Sequence, residues 1–172
     1  VMQEPDAQIV TDKVWHELAF GLENLGLTNA EIRARVAETA AFFGIEGWFD
    51  RDVSTLSGGQ KQLLNLAAVM TMRPSLLLLD EPTSRLDPIA AERFFDALVR
   101  INRETGTAVI LSEHRLDAAF AVSDRVILLD GGRVIADGAP TEIGDNLRAH
   151  PHPMALAMPA PMRVYAAAGG AP

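Results

Sequence analysis

The stretch T-L-S-G-G-Q-K-Q-L-L at residues 55–64 sets a serine, two glycines and a glutamine just ahead of an apolar pattern of helical period. Leu63, Leu64, Leu66, Ala67 and Met70 recur at that period, so residues 60–72 read as a helix, with Pro74 just past its end. Glycine amides at a helix start suit an anion: the first N–H groups lack intrahelical acceptors, the dipole favours negative charge, and a missing Cβ allows close approach. Ser57, Gly58, Gly59 and Gln60 are therefore candidates for meeting a phosphate.

Upstream, Thr11 is placed to cap a helix whose apolar residues Val14, Leu18, Leu22 and Leu25 share one face, with Gly26 to close it. T-N-A-E at 28–31 has the form of a capping box, and Ile32, Val36, Ala40 and Phe43 give the helix behind it an apolar face that Gly44 ends. Residues 11–50 thus read as a helical lobe. Downstream the texture changes. L-L-L-L-D at 76–80 is a short continuous apolar run of the kind expected for a strand buried on both faces. Asp87 and Pro88 cap and start a helix carrying Ala91, Phe94, Leu98 and Ile101, which Gly106 ends. T-A-V-I-L-S at 107–112, a short helix around 116–120 and R-V-I-L-L-D at 125–130 continue the alternation, which predicts an α/β fold with a mainly parallel sheet. D-G-G-R at 130–133 predicts a hairpin, and beyond 148 the Ala- and Pro-rich text reads as a tail or linker.

Composition narrows the function classes. A chain of 172 residues that is 48% hydrophobic is long enough for one core, or a core with a small lobe. The absence of cysteine removes disulfides and thiolate metal sites, and a net charge of −8 without a basic run argues against sequence-independent nucleic-acid binding. The apolar run at 76–79 is far below the ~20 residues of a membrane-crossing helix, so a membrane role is expected to be peripheral.

In open parallel sheets ligands bind beyond the carboxyl ends of the strands, which is where Asp80, Glu81 and the 112–114 segment fall. A carboxylate there can hold Mg²⁺ through water, and a second beside it can orient or deprotonate an attacking water. Taken singly these features are ordinary: an Asp-Glu pair caps helices or faces solvent, a lone His is a hydrogen-bonder, and L-S-G-G-Q is a turn. Their order is what informs.

In that order the motifs resemble the nucleotide-binding subunit of ATP-binding-cassette (ABC) transporters over residues 1 to about 147. Gln3 matches the family's Q-loop glutamine, L-S-G-G-Q at 56–60 its signature, L-L-L-L-D-E at 76–81 its Walker B strand, S-R-L-D at 84–87 its D-loop and His114 its switch histidine. The resemblance implies a P-loop NTPase-like cassette that uses ATP and Mg²⁺. Its implied domains are a Q-loop end at 1–10, a helical lobe with the signature at 11–72, the second half of the core at 73–147 and a tail at 148–172. It implies that Gln3 touches Mg²⁺ or the attacking water at a hinge, that Asp80 holds Mg²⁺, that Glu81 polarises the water and that His114 contacts the γ-phosphate. Asp87 would help communicate across a dimer, and Ser57, Gly58, Gly59 and Gln60 would close over ATP bound to the opposite cassette. The implied partners are a second cassette and a transmembrane subunit, at the cytoplasmic face of a membrane, with no nucleic acid.

The phosphate cradle GxxxxGK[ST] is not found: the two lysines, Lys13 and Lys61, have no glycine before them. The expectation is a cassette that begins just ahead of its Q-loop and whose 172 residues alone do not hydrolyse ATP. F-G-L-E-N-L-G-L at 20–27, E-P-T-S-R-L-D-P at 81–88 and S-E-H-R-L-D at 112–117 resemble the ATPases of energy-coupling-factor importers of vitamins or transition-metal ions. A chromosome-maintenance ATPase would insert a long coiled coil between Gln3 and Leu56, and none is there. A translation factor of the same superfamily, or a non-catalytic cassette that lends only its signature loop, are the other readings.

Overall fold

The computed structural model describes residues 5–149, Pro153, 158–160 and Arg163; Gln3 lies outside them. The chain divides after His114 into two compact units. The first contains helices α1 (Pro5–Gln8), α2 (Val14–Asn24), α3 (Asn29–Phe43) and α4 (Gly58–Thr71), then β1 (Leu76–Asp80), α5 (Pro88–Thr105) and β2 (Ala108–Ser112). The second contains α6 (Leu116–Val122), β3 (Val126–Asp130), β4 (Arg133–Gly138) and α7 (Pro140–Ala149).

Thr11 does not cap α2. The helix starts two residues later, with Lys13 at its N-cap and no side-chain cap. The reason is Glu17, only 6% exposed, whose Oε2 accepts from the amides of Val10 (3.1 Å) and Thr11 (2.9 Å) and from the Thr11 hydroxyl (2.9 Å). Thr11 is thus held by a carboxylate of the helix it was expected to cap. The first helical amides, of Val14 and Trp15, go instead to the carbonyls of Arg51 and Phe49, and burying Glu17 is tolerable because one of its oxygens takes three hydrogen bonds. Leu25 also departs from its expected place on the apolar face: α2 ends at Asn24, Gly26 turns back at φ 73°, and Leu25 is 57% exposed.

The other local expectations at this end hold. Thr28 and Glu31 form a reciprocal capping box at α3, and Gly44 closes it in the left-handed region. Val14, Leu18, Leu22, Ile32, Val36 and Leu64 pack in one core shared by α2, α3 and α4, each such side chain contributing about 2 kcal/mol on burial.

β1 and β2 run parallel, in a register that pairs Leu76 with Ala108 and Asp80 with Ser112, joined through α5. Asp87 caps α5 by accepting from the amides of Ile89 and Ala90, Pro88 starts it, and Gly106 ends it at φ 71°. One expectation about the sheet needs correction. Leu77 and Leu79 are buried, but Leu76, Leu78 and Ile110 are 46–60% exposed, so β1 is covered on one face only among the described residues. β3 pairs antiparallel with β4, which is the hairpin expected from D-G-G-R at 130–133.

In the second unit both central residues of the β3–β4 turn, Gly131 and Gly132, take positive φ, which is the geometry that matches the twist of a two-residue hairpin. Arg125 holds the hairpin through a two-pronged pair with Asp137, at 2.7 Å on each branch. Phe120, Leu128, Ala136, Ile143 and Leu147 form its core. Met158, from the stretch expected to be a tail, is buried against that core, and the Ala160 amide donates to Asp117; most of the remainder of 148–172 lies outside the described residues.

Candidate functional site

The parallel register sets Asp80 beside Ser112 at the carboxyl ends of the strands. The Ser112 hydroxyl donates to Asp80 Oδ1 at 2.7 Å, fixing one carboxylate. Immediately after, Glu81 turns the chain with φ 42°, a left-handed conformation that costs a non-glycine residue about 1–2 kcal/mol. Its amide donates to the Ser112 carbonyl at 3.1 Å, and its carbonyl accepts from the Ser84 amide and hydroxyl, so the turn is held from both sides. Backbone strain fixed in this manner aims a side chain. Glu81 Oε1 lies 2.8 Å from His114 Nε2, with the carboxylate side chain 29% exposed and the imidazole 79% exposed.

Behind this pair is a second layer. The Thr83 hydroxyl, in a fully buried residue, donates to Glu113 Oε2 at 2.8 Å, and the His114 amide donates to Glu113 Oε1 at 2.9 Å. Buried Gln62 of α4 donates through its amide nitrogen to the Pro82 carbonyl at 2.9 Å, so the helix that follows the glycine pair also holds the loop that carries Glu81.

At the start of α4 the Ser57 hydroxyl accepts from the Gln60 amide, and Gln60 Oε1 accepts from the Ser57 amide at 2.9 Å. The Lys61 amide is bonded to the Ser57 carbonyl. No described residue supplies an acceptor for the amides of Gly58 and Gly59, as expected for the first turn of a helix. Ser57 and Gly58 are exposed, and Gly59 and Gln60 half-buried. The two glycines differ in surroundings. A Cβ on Gly58 would meet nothing within 4 Å, whereas one on Gly59 would stand 2.8 Å from the Ala90 methyl of α5.

The expected site residues therefore fall into two groups. Asp80, Glu81 and His114 come together at the strand ends, with Ser112 among them. Ser57, Gly58, Gly59 and Gln60 sit at an exposed helix start against the first turn of α5, where Asp87 is engaged as the N-cap. Gln3 is not described. Sequence reading did not find the bracing roles of Ser112, Thr83, Glu113 and Gln62; a glutamine on the apolar side of α4 was the one visible hint, since such a residue needs a partner there. Among the described residues no group of three or more His, Asp or Glu is arranged to hold a metal ion. A cavity of about 200 Å³ bounded by Phe42, Met70, Arg73, Pro74 and Thr107 lies beside the opposite, amino ends of the strands and is separate from this site.

Residues 2–84 match the family model described as ABC transporter. A putative ABC transporter ATP-binding protein of Bacillus anthracis is 52% identical over 147 residues, which is 86% of this chain and 27% of that protein. One from Methanosarcina acetivorans is 41% identical over 143 residues, 83% of this chain and 44% of its own length. The chain thus spans less than half the length of these curated relatives. Among solved structures, cbiO1 of Clostridium perfringens, part of the ABC transporter complex cbiONQ, superposes with a TM-score of 0.78 at 34% identity, over 88% of this chain and 62% of that one. An ATP-binding cassette of an ABC transporter in its ADP conformation is similar in fold, with a TM-score of 0.72 at 22% identity over 87% of this chain and 63% of its own.

Proposed function

We propose that the chain carries part of an ABC transporter ATPase domain and contributes to two nucleotide sites at once. Toward a nucleotide on its own cassette it offers Asp80, Glu81 and His114; toward a nucleotide on a second cassette it offers Ser57, Gly58, Gly59 and Gln60, with Asp87 beside them. The observation that carries this reading is the strained, braced turn at Glu81, which sets a carboxylate against an imidazole at the carboxyl end of a parallel strand pair.

The chemistry follows from those groups. Glu81 orients a water for attack on the terminal phosphate, and His114 holds Glu81 in place and offers a hydrogen bond near the developing negative charge. Asp80, fixed by Ser112, is the residue that would hold Mg²⁺ through water, and the ion when bound would neutralise phosphate charge. The open amides of Gly58 and Gly59 supply donors to a phosphate arriving from outside. Closure of two cassettes around two ATP molecules, and reopening after hydrolysis, would drive a transmembrane subunit through the α2–α4 lobe at the cytoplasmic face. The likeness to cbiO1, part of an ABC transporter complex, supports a transport role, and the resemblance at 20–27, 81–88 and 112–117 favours an importer of the energy-coupling-factor kind, with a vitamin or metal ion as cargo.

The test is Mg-ATP hydrolysis by the complete natural polypeptide with its membrane partner. Glu81→Gln should lower single-turnover phosphate release by about 10²–10⁴-fold while ATP binding persists. Equal rates in the two proteins would overturn the assignment. The 172-residue chain by itself should show no turnover, because no lysine-bearing glycine loop lies within it.

A further inference from the structure

We infer that Glu113 is a positioning residue for hydrolysis, a strap that fixes the histidine's backbone to a buried anchor and so keeps the imidazole on Glu81. The inference rests on the reading of Glu81 and His114 as the working pair. It starts from an asymmetry in exposure. His114 is among the most open of the site's side chains, 79% exposed, and it follows the end of β2, where the strand ladder no longer restrains the chain. An open side chain on a loop samples several rotamers, yet here Nε2 stands 2.8 Å from a carboxylate whose own backbone is strained.

Glu113 supplies the missing restraint. One carboxylate oxygen accepts from the amide of His114, which fixes the peptide plane from which the imidazole projects. The other accepts from the hydroxyl of Thr83, two residues beyond Glu81. Thr83 is a firm anchor: it is fully buried, its carbonyl accepts from the Leu86 amide, and the neighbouring Pro82 carbonyl is held by Gln62 of α4. The strap therefore ties the loop after β2 to the loop after β1 at a point just behind the Glu81–His114 contact. Both of its bonds end on an ionised acceptor, the stronger kind of hydrogen bond. The bond from Gln62 to the Pro82 carbonyl also ties α4 to the loop that carries Glu81.

The decisive experiment compares Glu113→Ala, Glu113→Gln and Thr83→Val in the complete natural polypeptide, by steady-state ATP hydrolysis and by crystal structures of the variants. Glu113→Ala should lower kcat about tenfold or more with KM for ATP within about twofold, because misplacing a group without removing it affects the chemical step rather than binding. Glu113→Gln, which keeps one acceptor oxygen, should recover part of the loss, and Thr83→Val combined with Glu113→Ala should be no worse than Glu113→Ala alone. In the Glu113→Ala crystal structure His114 Nε2 should have left Glu81. Unchanged kcat, a loss confined to KM, or an imidazole still seated on Glu81 would each overturn the strap. If the wild-type polypeptide itself fails to hydrolyse ATP, the proposed function falls, and the crystal structures still decide whether Glu113 places His114.

Discussion

The turn after β1 and the start of α4 present two different solutions to holding groups ready for a phosphate. At the turn, each candidate is secured by a residue distant in sequence: Asp80 by Ser112, Glu81 by Ser112 and His114, Thr83 by Glu113. At the helix start, Ser57 and Gln60 satisfy each other, three residues apart, and leave two glycine amides to whatever arrives. The first region is assembled by the fold and the second by its own local sequence. A group that must stay fixed during chemistry gains from cross-bracing, whereas a surface that closes on an outside ligand needs only amides in the right orientation and nothing in the way.

The largest effect that would break this contrast falls on the braced side. Ser112→Ala removes the hydroxyl that holds Asp80, and the Mg²⁺ concentration needed for half-maximal hydrolysis by the complete polypeptide should rise by about 10–100-fold, the usual consequence of removing a residue that orients a metal-holding carboxylate. A magnesium titration at fixed ATP measures it. An unchanged midpoint would mean that Asp80 needs no brace.

Gly59 and Gly58 sharpen the other side. Gly59→Ala drives a methyl into Ala90, and should destabilise the protein by about 1–3 kcal/mol as overpacking does, with Ala90→Gly restoring the melting temperature. If the double variant refolds to wild-type stability, Gly59 is required for the packing of α4 on α5. Gly58→Ala meets nothing, so its melting temperature should stay within the change expected for about 1 kcal/mol, while hydrolysis in the assembled transporter falls about tenfold through obstruction of the incoming phosphate. Full activity of Gly58→Ala would show that the open amide at that position is not used.

This contrast also explains what the sequence reveals. The capping boxes at α3 and α4, the Asp87-Pro88 start of α5 and the glycine turn between β3 and β4 are legible because each is completed by residues within a few positions. The grouping of Asp80, Glu81 and His114 is legible at longer range, from the alternation that predicts a parallel sheet with both strand ends on one side, while the roles within the group are legible only through the resemblance. Thr11 shows the limit of local rules: it carries the right side chain for a cap, but a carboxylate six residues on takes both its amide and its hydroxyl. The apolar run at 76–79 reads as doubly buried because all its residues are leucine; composition does not say which face the rest of the molecule covers.

The smallest effect separates two capping boxes of the same shape. At α4 the reciprocal acceptor is the neutral side chain of Gln60, and at α3 it is the carboxylate of Glu31, which accepts from the Thr28 amide and hydroxyl. Those hydrogen bonds, the hydroxyl's first and the amide's second, lower the Glu31 pKa from its ordinary 4.5. A depressed carboxyl contributes stability above its unfolded value and loses it as pH falls through the folded value. Wild type and Glu31→Gln should therefore differ in melting temperature at pH 7 and converge as the pH is taken below about 4.5. The Gln60 box holds no titrating group, so Gln60→Ala should lower the melting temperature by the same small amount at either pH. A wild-type advantage over Glu31→Gln that persists undiminished into acid would mean that the α3 cap acts through shape alone, as the α4 cap does.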